Sequence, residues 1–209
     1  MNTKTNLQKV HRFSAIGIGV FTLAHIFNHV MAAHSIELHI EVMNALRLVY
    51  YYPIIEVLLV ISILIQAFTG VQLFRKNRKH LHSRIAKLQA YSGLYLAFFL
   101  VAHSTATIGG NWFFQIDTNF YFGAMVVNIF PYVFFFAPYY FLAVTSFFTH
   151  IACTLSKYVA KNYDLKTAQR FVYASIAFGA ITAIVILLAF SGMLYEFEFP
   201  DAYLNLYPS

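Results

Sequence analysis

The chain has 209 residues, of which 60% are hydrophobic and 11% charged, against roughly 25% charged in an ordinary soluble domain. With a mean hydropathy of +0.64, that composition excludes a soluble globular fold. The net charge of +6 invites a nucleic-acid reading, which the placement of the charges excludes, because the basic residues mark one end of successive apolar runs.

Runs free of Asp, Glu, Lys and Arg cover residues 13–33, 57–74, 88–116, 118–156 and 171–195. A membrane span needs about 20 apolar residues rising 1.5 Å each, so the third and fourth runs must also contain loop. The expected fold is all-α and integral to the membrane. It is a five-transmembrane-helix bundle forming a single membrane domain over residues 1–209, with spans near 12–33, 53–74, 84–107, 131–156 and 168–195. Lys4, Lys9 and Arg12 precede the first span. Arg75, Lys76, Arg78, Lys79, Arg84 and Lys87 join the second to the third, and Lys157, Lys161, Lys166 and Arg170 join the fourth to the fifth. Arg47 alone falls on the other side, and of the acids only Asp164 shares the basic side. The positive-inside rule then places the N-terminus in the cytoplasm and the C-terminus outside, as in a bacterial inner-membrane protein. The basic loops are read first as topology determinants, and second as a surface for anionic lipid or an acidic partner. The lone Cys153 excludes an internal disulfide and a multi-cysteine cluster. The first run shows no cleavage pattern and is expected to act as an uncleaved signal anchor.

In chain order, the first eleven residues are polar and expected to fray. The first span enters through Ser14-Ala15-Ile16-Gly17, small residues that admit a neighbouring helix or a flat ligand, and carries His25 and His29. Residues 36–50 alternate Ile36, Ile40 and Met43 with Glu37, Glu41 and Asn44, as in a helix lying in the outer interface. His34 and His39 in this segment are expected to be solvated. Tyr50, Tyr51 and Tyr52 read as an aromatic belt. Pro53 opens the second span, which holds Glu56 near its outer end and Gln66 nearer its inner end. His80 and His82 lie in the solvated basic linker. The third span runs from Arg84 to Thr107 and is expected to stop at Gly109-Gly110. Residues 111–130 form an outer loop with room for a short interfacial helix. Pro131 opens the fourth span, with Pro138 as an early kink and His150 near its inner end. The fifth span has no histidine and reads as packing surface. Ser14 to His25 and Ser92 to His103 echo one another weakly across two spans of the same direction.

Histidines inside hydrocarbon are costly and mark functional sites. Counting residues puts His25 roughly 12 Å and His103 roughly 6 Å below the outer helix ends, and His150 roughly 9 Å and Gln66 roughly 12 Å from the inner ends. Two pairs at similar depth result, His25 with His103 outside and Gln66 with His150 inside. His29, one turn beyond His25, is the alternative outer partner. A haem held by axial imidazoles from two helices needs such a pair, whereas the bland reading is interhelical hydrogen bonding worth about 0.6 kcal/mol each. Glu56 is either a first-turn acid favoured by the helix dipole or a proton acceptor beside an outer quinol site.

These residues resemble a family, the five-helix, dihaem cytochrome b membrane anchors of succinate dehydrogenase and fumarate reductase. The resemblance rests on Ser14-Ala15-Ile16-Gly17 with Leu23-Ala24-His25, on Gln66-Ala67-Phe68-Thr69-Gly70 ending in Arg75-Lys76, and on Gln89-Ala90-Tyr91-Ser92-Gly93 with His103. In the fourth span it rests on Phe148-Thr149-His150. It implies haem b with His25 and His103 as metal ligands and His150 at a second site, and quinone as substrate. It also implies flavoprotein and iron–sulfur subunits docked on the cytoplasmic face. Ser14, Gly17, Gly93, Arg12 and Arg84 would line the cofactor or quinone site, the arginines serving equally as headgroup anchors. The sequence departs from the family pattern at Gln66, where the second span would carry a histidine. Glutamine is not an ordinary haem ligand, so one haem is expected, with the inner site empty and Gln66 bonded to His150, or five-coordinate on His150. The rival reading is a haem-free transporter or assembly subunit.

Overall fold

The computed structural model describes residues 6–204, and among these the secondary structure is helical throughout. The order is α1 (Asn6–Met31), α2 (Ile36–Tyr50), α3 (Pro53–Asn77), a short 3₁₀ turn (Arg78–His80), α4 (Arg84–Trp112), α5 (Phe120–Asn128), α6 (Val133–Asn162), α7 (Leu165–Phe190) and a final turn α8 (Asp201–Leu204). Five of these, α1, α3 with its 3₁₀ extension, α4, α6 and α7, are long and apolar enough to cross a membrane.

Side chains start the helices where the chain emerges from loops. Ser35 accepts the Leu38 N–H at 3.1 Å, Ser83 the Ala86 N–H at 3.1 Å and Asn119 the Tyr121 N–H at 2.9 Å. Each supplies an acceptor for a backbone donor that the helix itself leaves unpaired. Pro53 occupies the first turn of α3, where its missing N–H costs nothing. Asp164, the one acid among the basic loops, caps α7 through the Thr167 N–H at 2.8 Å and hydroxyl at 2.7 Å. Those bonds hold its carboxyl below the ordinary range.

Successive contacts join α1 to α3, α3 to α4, α4 to α6 and α6 to α7, and α7 returns to α1 to close the ring, packing most closely against α6. Gly179 of α7 permits that approach, since a Cβ there would stand 2.9 Å from the Phe148 Cβ. At the end remote from the basic loops, α2, α5 and residues 191–204 close the bundle. Phe120 and Met125 of α5 are fully buried, Arg47 pairs with Asp117 at 2.7 Å, and the Tyr203 hydroxyl donates to the Asp117 carbonyl at 2.7 Å. The Tyr195 hydroxyl donates to the Ala32 carbonyl, tying the C-terminal segment to the end of α1.

The structure departs from the sequence-based expectations at several points. Residues 6–11 belong to α1, one continuous helix with the first span, because their polar side chains lie along its faces without interrupting the backbone ladder. The start of that polar stretch, including Lys4, lies outside the described residues. The third long helix does not stop at Gly109-Gly110 but runs to Trp112. Gly110 serves packing instead, since a Cβ there would meet Phe122 at 3.1 Å and Thr118 at 3.2 Å. Helix α5 is no interfacial element, for Phe120, Ala124, Met125, Val126 and Val127 are all buried. The last long helix spans residues 165–190 rather than 168–195, its start set by the Asp164 cap. His39 is buried rather than solvated, at 1% exposure, whereas His34, His80 and His82 are exposed as expected.

Gly179→Ala forces a methyl into the α6–α7 contact and is expected to destabilise the fold by about 1–3 kcal/mol. Gly17→Ala, where a Cβ meets nothing within 4 Å, should be neutral or stabilising by up to about 1 kcal/mol. Thermal unfolding in detergent distinguishes the two.

Candidate functional site

A cavity of about 790 Å³ runs inside the helix ring. Arg12, Asn77, Leu81 and Lys157 stand at its basic end, and His29, Gly123 and Phe190 at the other. Between them it is walled mostly by apolar side chains of α1, α3, α4 and α6. Five imidazoles line it, those of His11, His25, His29, His103 and His150.

In the half remote from the basic loops, His25 of α1 faces His103 of α4 with ring centroids 5.9 Å apart and planes at 61°. His103 is held by stacking on Phe99 at 5.0 Å and 11°, and Tyr140 stands edge-on to it at 6.5 Å. Behind His25 a chain of nitrogen contacts leads outward. His25 Nε2 meets His29 Nε2 at 3.0 Å, His29 Nδ1 meets His39 Nε2 at 3.1 Å, and Asn28 Nδ2 meets the same His39 nitrogen at 3.2 Å. His39 Nδ1 and Asn28 Oδ1 are buried without partners among the described residues. The matched depth of His25 and His103 thus corresponds to a real juxtaposition, and His29 adjoins His25 rather than replacing it.

In the basic half, His150 Nδ1 donates to the Gln89 carbonyl at 2.9 Å. The ring lies against Gly93, where a Cβ would come within 2.6 Å of His150 Cε1. Gly93 is therefore a seat for an imidazole. Gln66 does not bond His150, contrary to expectation. Its amide donates to the His11 carbonyl and to Ser14 Oγ at 2.9 Å, because its position on α3 faces α1 across their contact. Ser14 is thereby engaged, also donating to the Val10 carbonyl at 3.0 Å.

The remaining predicted residues divide. Arg12 is exposed and lines the mouth of the cavity. Gly17 and Glu56 do not line it, and Glu56 sits half-buried in the first turn of α3. Arg84 is exposed beside a separate shallow pocket with Ser92 and Tyr95. His11 was not singled out from the sequence, although the signal is there. His11, His25 and His29 lie 14 and 18 residues apart, four and five turns of one helix face, a register visible only if α1 begins before residue 11.

Among the described residues, no group of three or more His, Cys, Asp or Glu side chains is arranged to hold a metal ion. A porphyrin asks less of the protein, needing only axial ligands. His25 and His103, brought together from different helices with ring centroids 5.9 Å apart, are the residues that would hold such a group. Ligation by His25 requires its Nε2 to exchange the His29 contact for the metal. No family model, curated protein or solved structure matches this chain.

Burial, and after it the nearby Arg47 charge, lowers the His39 pKa from 6.5 to about 4. Between those values the unfolded chain binds the extra proton, so the contribution of neutral His39 to stability is present above pH 6.5 and is lost as pH falls toward 4. Melting temperatures in detergent from pH 7.5 to 4.5 should fall, and His39→Gln should flatten that slope.

Proposed function

We propose that this chain is a membrane cytochrome b that carries electrons between a lipid quinone and haem, as the anchor of a succinate dehydrogenase- or fumarate reductase-like complex. The observation that carries the reading is the His25–His103 pair, two imidazoles from different helices facing each other at 5.9 Å across a cavity walled by apolar side chains. A bound haem b supplies one-electron redox chemistry at its iron. The protein's part is to hold and insulate it. His25 and His103 would hold the haem iron, and Phe99, stacked on His103, fixes that ring's orientation. The apolar walls exclude water and set the dielectric around the site. Gly19, on the cavity wall with nothing within 4 Å of where a Cβ would stand, leaves width for a flat macrocycle. Arg12 and Lys157 at the mouth are placed to pair with carboxylates. Glu56, at the opposite end of the bundle, is the proton acceptor this reading assigns beside a quinol.

The asymmetry of charge supports an orientation with the N-terminus in the cytoplasm and the C-terminus outside, in a bacterial inner membrane. The basic face then meets flavoprotein and iron–sulfur subunits, and nucleic acid is not a partner. A second reading is favoured by the contiguous contacts from His39 through His29 to His25. In that reading the chain is a haem-free transporter or assembly subunit whose imidazoles bond its helices together.

Full-length protein purified in detergent should contain low-spin haem b that quinol reduces, and His103→Ala should abolish the signal of the site remote from the basic loops while the protein remains folded. Colourless wild-type protein favours the second reading. For orientation, cysteines placed at Lys79 and Lys161 should be labelled only from the cytoplasm and one at Glu198 only from outside. The native Cys153, at 0% exposure, keeps the background low. Labelling of position 79 from outside contradicts the orientation.

A further inference from the structure

The pocket beside Arg84 shares no lining residue with the cavity inside the helix ring. Thr145, Ser146 and Thr149 line it from α6, whereas Val144, Phe147 and His150 line the cavity, so the two hollows lie on opposite faces of one helix. It is a groove of about 630 Å³ on the outer face of α6, and α4 and α7, which both adjoin α6, are its walls. The short side chains of Thr145, Ser146 and Thr149 form its floor. Tyr91 of α4 and Tyr173 of α7, both exposed, stand above that floor on either side.

The α4 wall runs through Arg84, Lys87, Tyr91 and Tyr95, at steps of three and four residues that keep them on one helix face. From Arg84 to Tyr95 is about 16 Å at 1.5 Å per residue. One leaflet of a bilayer contributes a similar depth of hydrocarbon, roughly half of 30 Å. At the deep end the Tyr95 hydroxyl donates to the Tyr139 carbonyl at 2.8 Å, joining α4 to α6. The shallow end carries the charge. Arg84 and Lys87 are exposed there, no carboxylate lines the groove, and neither residue is in an ion pair among the described residues. The N-terminus of α4 lies at this end too, where the helix dipole favours negative charge. Side chains lean toward the N-terminus of their helix. Helices α4 and α7 both begin at the basic end, so Tyr91 and Tyr173 lean toward the charged mouth.

We propose that this groove binds one anionic phospholipid from the leaflet on the basic side, its phosphate on Arg84 and Lys87 and one acyl chain laid over α6 between α4 and α7. Two uncompensated cations at the mouth select a negative headgroup, as basic pockets between membrane helices do. A groove of leaflet depth behind them holds a chain, which a free phosphate lacks. A second copy of this chain in the same orientation does not fit, because it would bring its own basic loops against Arg84 and Lys87. Of the eight acids only Asp164 lies on that side. The proposal stands apart from the haem-binding reading, since the two hollows share no residue.

The test is native mass spectrometry of the full-length protein, delipidated in detergent and titrated with phosphatidylglycerol or phosphatidylcholine, with circular dichroism to report that each variant is folded. Wild type is expected to retain one phosphatidylglycerol per chain in preference to phosphatidylcholine. Arg84→Gln with Lys87→Gln should weaken that retention by roughly 30-fold, as loss of two basic contacts predicts. Ser146→Phe, which fills the groove and keeps both charges, should also weaken it. Arg78→Gln with Lys79→Gln removes the same charge from the neighbouring loop, outside the groove, and should leave retention unchanged. Equal retention of phosphatidylcholine overturns the proposal, as does retention of neither lipid. An equal loss in the Arg78 and Lys79 variant reduces the effect to the general charge of the basic face and overturns the site. Unchanged retention in folded Ser146→Phe overturns the place assigned to the acyl chain.

Discussion

An imidazole always presents a donor and, when neutral, an acceptor, and inside an apolar bundle water does not satisfy either. Five such rings line one cavity here, and much of the local structure answers their needs. The Gln89 carbonyl and the Thr69 hydroxyl take protons from His150 and His11, Phe99 supports His103 by stacking, and Gly93 gives up its side chain where His150 lies. The helix ring is held open around these rings while α6 and α7 close tightly at Gly179. Packing is thus dense between α6 and α7 and spare around the cavity.

The spans were legible in the sequence because a bilayer demands long charge-free runs, and those survive any ambiguity about loops. Helix ends were less legible, since they depend on tertiary contacts. Gly109-Gly110 reads as a breaker by local preference, yet α4 continues because Phe122 and Thr118 pack where a side chain would stand at Gly110. The polar start of α1 reads as a frayed tail, yet from Asn6 onward it is helical and delivers His11 to α3. His39 sits in a stretch of sequence that looks interfacial, and only the folding of α2 and α5 over the bundle end buries it against Phe120 and Phe190.

At the site, helix counting brought His25 and His103 together because both lie on long, regular helices where depth follows directly from rise per residue. It paired Gln66 with His150 wrongly, because depth says nothing about which face of a helix a residue occupies. Gln66 faces α1, and the ring that occupies its neighbourhood belongs to His11. The functional reading follows from the His25–His103 pair rather than from any single residue. A lone histidine between helices bonds them together. Two facing histidines in an apolar cavity can hold a flat metal-bearing group between them.

The most direct measurement is the absorption spectrum of the purified chain, oxidised and then reduced with dithionite. The account predicts a Soret band that shifts on reduction and a sharp α band from six-coordinate low-spin haem b. A spectrum with protein absorption alone, from folded protein expressed with haem supplied, would contradict it.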